Sequence, residues 1–298
     1  MRILITGGTG LIGRRLCKAL LAEGHQLTVF SRHPETVAVK CGAAVQAMAK
    51  LSEWQPERTF DAVINLAGEP IVDARWTESR KQVLRDSRIA LTEELVRRIG
   101  EARQKPAVLL SGSAIGYYGG RGDERLGEDS GPGADFPAQL CIDWEAAATA
   151  AEKFGVRVCL LRTGLILSKD GGLLGRMLPP FRLGMGARVG DGKQWMSWIH
   201  IDDYIALVQR LLRDEQMRGP YNMTSPEPVT NREFTSTLAA ALRRPAPFVA
   251  PASLLKLSLG EAASLLLEGQ RVLPHRMQAA GQGLRFEKLS DALKDLLN

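Results

Sequence analysis

Short apolar runs recur along the chain, separated by longer stretches with helical spacing. Residues 2–6, 26–30, 44–48, 61–66, 107–111 and 157–161 are largely apolar segments of five or six residues. Runs of this length that are apolar throughout, rather than alternating, predict strands of a parallel sheet covered on both faces. Residues 11–23, 77–102 and 137–154 carry helical spacing, and Gly24 stops the first of them. Strand and helix alternating in this way predict an α/β fold: a Rossmann-like, doubly wound parallel sheet with ligands at the carboxyl ends of its strands. Beyond Arg162 the pattern loosens. Residues 164–192, rich in Gly, Leu and Pro, predict a loop-and-helix cap. A strand over 198–201 and a helix over 202–213, capped by an Asp, follow, then a short strand at 221–223. Helical patterns at 231–242, 252–259 and 289–297, broken by Pro245, Pro247 and Pro251, predict a small, mostly helical C-terminal lobe. The expected division is a sheet domain over 1–225, with 164–197 contributing to the cap, and a substrate-side lobe over 226–298.

Composition narrows the function classes. The 298 residues are 45% hydrophobic, enough for a substantial core. The net charge of +6 is spread among acidic residues, so no nucleic-acid footprint is read and no nucleic-acid partner is expected. The densest basic stretch, 75–105, also carries Glu78, Asp86, Glu93, Glu94 and Glu101, the pattern of a solvated helix face. Cys17, Cys41, Cys141 and Cys159 lack paired spacing and lie in apolar stretches, which predicts buried free thiols and a reducing compartment. Gly7 and Gly8 interrupt the first apolar run, and no stretch approaches the ~18 apolar residues of a span. A cytoplasmic protein with no membrane partner and no metal site is the expectation.

The candidate chemistry begins at the first residues. Thr6-Gly7-Gly8-Thr9-Gly10-Leu11-Ile12-Gly13 joins a strand to a helix through a glycine turn. It reads as Gly8-x-Gly10-x-x-Gly13 or as Thr6-Gly7-x-x-Gly10-x-x-Gly13. Either way, glycine admits close approach of a pyrophosphate, and the helix N-terminus offers free N–H groups and a positive dipole end. Past Gly13, the second strand ends at Phe30-Ser31-Arg32, where an NAD-selective site places an acid. Here Arg32 can meet a ribose 2′-phosphate bidentately, Ser31 can donate a hydrogen bond and Arg14 adds charge, so the expected cofactor is NADP(H).

Four segments together resemble the extended and atypical short-chain dehydrogenase/reductases: Thr6 to Gly13, Asn65-Leu-Ala-Gly68, Ser111-Gly-Ser113-Ala-Ile-Gly-Tyr-Tyr118, and Trp198-Ile-His200-Ile-Asp202-Asp203. Asn65-Leu-Ala-Gly-Glu-Pro70, Pro179-Pro-Phe-Arg-Leu-Gly184 and Trp198 to Asp202 are most similar to the YfcH-like, or SDR39U1-like, epimerase family proteins, over essentially the whole chain. The resemblance implies a pyrophosphate site formed by Thr6, Gly7, Thr9, Gly10, Leu11, Ile12 and Gly13. It places the adenosine phosphate at Ser31 and Arg32, and the adenine-side ribose and cofactor middle along Leu66, Ala67 and Gly68. Arg88, on the long helix, would reach the same cofactor. Relatives pair through the two long helices, so a homodimer is one implied arrangement, although the first of those helices is heavily charged here.

The resemblance also implies a Ser at the end of the fifth strand and a Tyr four residues before a Lys, which lowers the phenol's pKa for proton exchange. Ser113 matches the first role. The pair is missing: four residues beyond Tyr117, Tyr118, Tyr204 and Tyr221 stand Arg121, Gly122, Val208 and Ser225, and no lysine lies between Lys105 and Lys153. Phe136 or Pro137 and Leu140 or Cys141 occupy the corresponding helix positions. Tyr117, or Tyr118, can act from the loop with Arg121 as its positive neighbour. The arginine that clamps a sugar diphosphate is also missing, with Gln194-Trp-Met-Ser197 in its place. His200 reads as structural, and Trp195, Met196 and Trp198 as core or an apolar pocket wall. The expected function is an NADP(H)-binding oxidoreductase-like protein with an atypical active site, catalytic residues Ser113 and Tyr117, and a small-molecule substrate. A non-catalytic NADP(H) sensor or partner-binding protein and a nucleotide-sugar epimerase are the alternatives.

Overall fold

The computed structural model describes residues 1–297. The chain opens with β1 (Arg2–Thr6), α1 (Leu11–Ala22), β2 (Gln26–Phe30), α2 (Val37–Cys41) and β3 (Gln46–Met48). β4 (Ala62–Asn65) leads to α3 (Glu78–Arg85), which continues through a π turn at Asp86–Ala90 into α4 (Leu91–Glu101). Next come β5 (Val108–Ala114), β6 (Arg125–Leu126), α5 (Phe136–Thr149) and β7 (Arg157–Thr163). β8 (Leu165–Leu167), α6 (Gly172–Arg182), β9 (Ala187–Val189), β10 (Trp195–Met196) and β11 (Trp198–His200) precede α7 (Ile201–Arg213) and β12 (Gly219–Met223). The remainder comprises β13 (Val229–Thr230), α8 (Asn231–Leu242), β14 (Phe248–Ala250), α9 (Ala252–Leu259), α10 (Ser264–Leu267), β15 (Arg271–Val272), α11 (His275–Ala279) and α12 (Leu289–Leu297).

Seven strands form one parallel sheet in the order β12-β7-β5-β4-β1-β2-β3. This is the doubly wound Rossmann-like topology, with the strand order reversing between β1 and β4. Successive residues of each inner strand feed opposite faces, and both faces are covered. Ile3 and Ile5 pack with Leu16 and Leu20 of α1 and Leu207 and Leu211 of α7 on one side. Leu4, Val63 and Leu109 pack with Leu95 and Ile99 of α4 on the other. Both sets are fully buried, which is why the strands read as continuous apolar runs rather than alternating ones. Each such side chain contributes about 1.5–3 kcal/mol of burial.

Residues 226–297 thread through the cap. β13 pairs with β10, β14 with β9, and β15 with β6. One apolar core joins Leu174 and Phe181 of α6, Trp198, Phe234 and Leu238 of α8, and Leu293 and Leu296 of α12. Two local expectations are corrected. The helix over 77–102 is not uniform: a π turn at Asp86–Ala90, which includes Arg88, adds a residue to one turn ahead of Thr92. The helix after β11 is capped by His200, whose Nδ1 accepts from the Asp202 N–H at 3.1 Å, while Asp202 pairs with Arg15 at 2.8 Å. An imidazole nitrogen serves as well as a carboxylate where one orphan amide must be met. No helix among the described residues is long and apolar enough to cross a membrane.

Candidate functional site

The site sits where the strand order reverses. The carboxyl ends of β1 and β4 are Thr6 and Asn65, paired in register, and the Thr6 hydroxyl donates to Asn65 Oδ1 at 2.6 Å. Thr6 Oγ1 also accepts from the Ala67 N–H at 3.2 Å, tying the two following loops together. Thr6 is fully buried, so its side chain holds the loops in place. Gly7 turns with φ +70°, and a Cβ there would stand 2.6 Å from the Leu66 carbonyl. A Cβ on Gly13 would meet the Gly7 oxygen at 2.2 Å. Both positions require glycine, one for its backbone angle and both for space. Gly10 precedes α1 without a side-chain cap, and no acid lies in the first turn. The helix N-terminus formed by Leu11, Ile12 and Gly13 is therefore left for an outside acceptor, with Thr9 on the turn before it. This cradle fits a dinucleotide pyrophosphate.

Ser31 and Arg32 follow β2. Ser31 is buried and its Oγ accepts from the His33 N–H at 3.1 Å. Arg32 is 77% exposed, and its guanidinium meets Glu69 Oε1 at 2.7 Å. Glu69 is a partner that sequence reasoning missed. It lies in the Asn65-to-Pro70 segment already singled out, but only the fold brings that loop beside the end of β2. Arg88 lies against the loop that follows β4. Its guanidinium donates to the Glu69 carbonyl at 2.9 Å and packs against Gly68, where a Cβ would lie 3.0 Å from Cζ. Burial pushes its pKa down. Arg88 thus braces the Leu66-Ala67-Gly68 loop. Beneath it, Thr92 Oγ1 accepts from Asn65 Nδ2 at 2.8 Å and from Trp144 Nε1 at 3.0 Å.

The Ser113 hydroxyl, 4% exposed, donates to Glu145 Oε1 at 2.6 Å. Glu145 on α5 accepts a bidentate pair from Arg162 on β7, at 2.8 and 2.9 Å. Arg162 stands opposite Ser113 in the β5–β7 register. Its third nitrogen donates to the Tyr118 hydroxyl at 3.0 Å and to the Glu128 carbonyl at 3.1 Å. Tyr118 donates in turn to Asn222 Oδ1 at 2.7 Å, and burial pushes its phenol up to about 12. The partly buried Tyr117 ring lies under the Arg162 guanidinium, 3.5 Å from the ring centroid. Arg121 is not the positive neighbour of these tyrosines: it pairs with Glu124 at 2.8 Å. Both Glu145 and Arg162 went unassigned in the sequence. The one local signal was Arg162, a charged residue inside an apolar strand, which calls for a partner without saying which.

The remaining candidates are structural. The four cysteines are free and buried, with the Cys141 thiol pushed up to about 12 by burial. His200 is stacked on Phe286 with centroids 4.1 Å apart, and burial lowers its pKa. Trp198 and Met196 belong to the core, whereas Trp195 is half-buried beneath Arg271. Gln194, where the diphosphate-clamping arginine is missing, donates to the backbone carbonyls of Val189 and Leu266. A cavity of about 610 Å³ opens between the cap and α9–α10, bordered by Gln194, Lys256, Ser264 and Glu268. A larger groove of about 1000 Å³ runs between α4 and α5 and holds none of the site residues. No metal-binding cluster occurs among the described residues.

Comparison with known proteins agrees with the geometry. Residues 3–224 match the NAD dependent epimerase/dehydratase family, and residues 250–296 match a domain of unknown function, DUF1731. An epimerase family protein of Mycobacterium bovis is 39% identical over 302 residues, covering 98% of this chain and 96% of that protein. The crystal structure of the human epimerase family protein SDR39U1 with NADPH superposes with a TM-score of 0.90 at 35% identity, covering 99% of each chain. A nucleoside-diphosphate sugar epimerase from Corynebacterium glutamicum superposes with a TM-score of 0.77 at 32% identity, over all of this chain and 58% of that one.

Proposed function

The chain belongs to the NAD dependent epimerase/dehydratase family, and from that premise we propose that it is an NADP(H)-dependent oxidoreductase-type protein acting on a small molecule. The cradle at Gly7 and Gly13, closed to any Cβ, is the observation that carries this reading. Leu11, Ile12 and Gly13 would offer backbone N–H groups to the pyrophosphate. Ser31 and Arg32 would meet the 2′-phosphate, and Leu66, Ala67 and Gly68 would line the path between. When bound, the nicotinamide supplies two-electron redox chemistry. Residues 1–225 are taken as the cofactor domain and 226–298 as the substrate-side lobe, with 164–197 contributing to the cap. Cytoplasmic location accompanies this reading.

Ser113 and Tyr117 are the residues proposed for the substrate side. Ser113, with its proton given to Glu145, can turn its lone pairs outward and accept a hydrogen bond from a substrate hydroxyl. Glu145 and Arg162 hold it in that orientation. Tyr117, carried on the loop after β5, offers its hydroxyl as the proton donor, with its ring fixed by Arg162. Calorimetric titration with NADPH and NADH tests the cofactor reading: tighter NADPH binding is expected, and tighter NADH binding refutes it. A carbonyl and alcohol substrate screen with Ser113→Ala and Tyr117→Phe tests the chemistry.

A second reading, a non-catalytic NADP(H) sensor, is favoured by one observation: Ser113 is almost fully buried and bonded to a carboxylate instead of a titrating Tyr–Lys pair. Tight NADPH binding without turnover in the screen would select it. A nucleotide-sugar epimerase is less well supported, because Gln194 spends its amide on backbone carbonyls where a diphosphate would need a cation.

A further inference from the structure

We infer that the face built from the α6–β9 turn, β14 and α9 lies against an anionic lipid surface. Six large apolar side chains stand out on it: Leu183 (72% exposed), Met185 (51%), Phe248 (53%), Val249 (45%), Leu254 (59%) and Leu257 (72%). They form one neighbourhood. β14 pairs with β9 in register from Phe248 opposite Ala187. The turn at Gly184 abuts Pro245, and α9 follows β14 directly through Pro251. On α9, Leu254 and Leu257 are three residues apart and share a face, while Leu259 turns inward to pack with Trp76 and Leu140. Scattered exposed apolar residues need no explanation, but a contiguous set marks an interaction site.

The charge around this set names the partner. Neither residues 171–190 nor residues 234–260 contain a single Asp or Glu. The same stretches carry Arg182, Arg243 and Arg244, none of which lies within ion-pair distance of a carboxylate among the described residues, whereas Lys256 borders the cavity with Asp191, Glu261 and Glu268, and Arg188 donates to the Asp191 carbonyl. Arg176, at the margin, pairs with Asp73. Arg182, Arg243 and Arg244 are exposed. Apolar side chains rimmed by unpaired cations match the boundary of an anionic bilayer, where the chains enter and the cations meet headgroup phosphates. A second copy presenting the same basic rim would be repelled. Lying on a surface needs only a short amphipathic face and no spanning helix.

Vesicle co-sedimentation tests this. The whole protein is expected to bind phosphatidylcholine vesicles that contain phosphatidylglycerol, to bind phosphatidylcholine alone far less, and to be released by high salt. Arg243→Gln with Arg244→Gln should weaken binding by about thirtyfold, and Arg243→Lys with Arg244→Lys should retain it. Leu254→Ser with Leu257→Ser, both at exposed positions, should release the protein while its thermal unfolding stays unchanged. Failure to bind the phosphatidylglycerol vesicles overturns the inference, as does undiminished binding of the leucine variant. A lipid-free dimer in light scattering that the leucine variant abolishes also overturns it, in favour of a second copy.

Discussion

Removing the Glu145 carboxylate should cost far more than an ordinary surface change, and restoring apolar balance should recover most of the loss. The pair is deep: the Glu145 side chain is 8% exposed and that of Arg162 is 5%. Glu145→Ala deletes both ends of a bidentate contact and the acceptor of the Ser113 hydroxyl. What remains is a buried guanidinium whose other bonds reach a phenol and a carbonyl, neither of which carries compensating charge. Breaking a buried pair from one side costs about 3–5 kcal/mol, because the orphaned charge loses its solvation without recompense. For a chain of this size that corresponds to a melting temperature lower by roughly 5–8 °C. Glu145→Leu combined with Arg162→Met removes both charges and keeps apolar volume, and such replacements are often neutral or better. Urea unfolding of the wild type, Glu145→Leu, Arg162→Met and the double completes the cycle. The expected coupling is above about 2 kcal/mol, with the double variant more stable than Glu145→Ala. A Glu145→Ala variant within about 1 kcal/mol of wild type, or a double variant as damaged as the sum of the singles, would refute the reasoning.

The cofactor loops give further expectations. Arg32→Ala should weaken NADPH binding by about ten- to a hundredfold and leave NADH within a few fold, as loss of one charge-assisted contact does; equal losses for both cofactors would remove Arg32 from the phosphate site. Glu69→Gln, which frees Arg32 from its 2.7 Å partner, should tighten NADPH binding a few fold, since an exposed ion pair is worth under about 1 kcal/mol. The thiols of Cys141 and Cys159, pushed up to about 12 and about 11 by burial, should resist iodoacetamide at mild alkaline pH. All four cysteines should become reactive only in denaturant, as counted by intact mass. His200 has its pKa lowered, chiefly by burial, so its contribution to stability is complete above the unfolded value near 6.5 and is lost as pH falls through the folded value. The urea midpoint should therefore decline on acidification below that pH, and His200→Gln should flatten the decline.

The sheet was legible because a doubly covered parallel strand has to be apolar along its whole length, and runs such as 61–66 have no other economical use. The C-terminal helices over 231–242, 252–259 and 289–297 were legible from their spacing and proline punctuation, and their bounds match α8, α9 and α12. The glycine turn was legible because steric exclusion acts locally: Gly7 and Gly13 are shaped by neighbours on the same strand–turn–helix unit and by the loop after β4. The π turn at Asp86–Ala90 was not, since helical spacing tolerates one extra residue. The centre of the site was not legible either. Ser113, Glu145 and Arg162 lie on β5, α5 and β7, and nothing in their spacing states that β7 would set Arg162 beside Ser113. The sequence offered Arg121 to the tyrosines because it is near in the chain, but the fold delivered Arg162. Periodicity and local sterics act over a few residues, so the chain alone decides its elements and its phosphate turn. Pairing of charges, as at Glu145 with Arg162 and Glu69 with Arg32, depends on strand order and on which side chains lose water together, and that is settled only when the sheet closes.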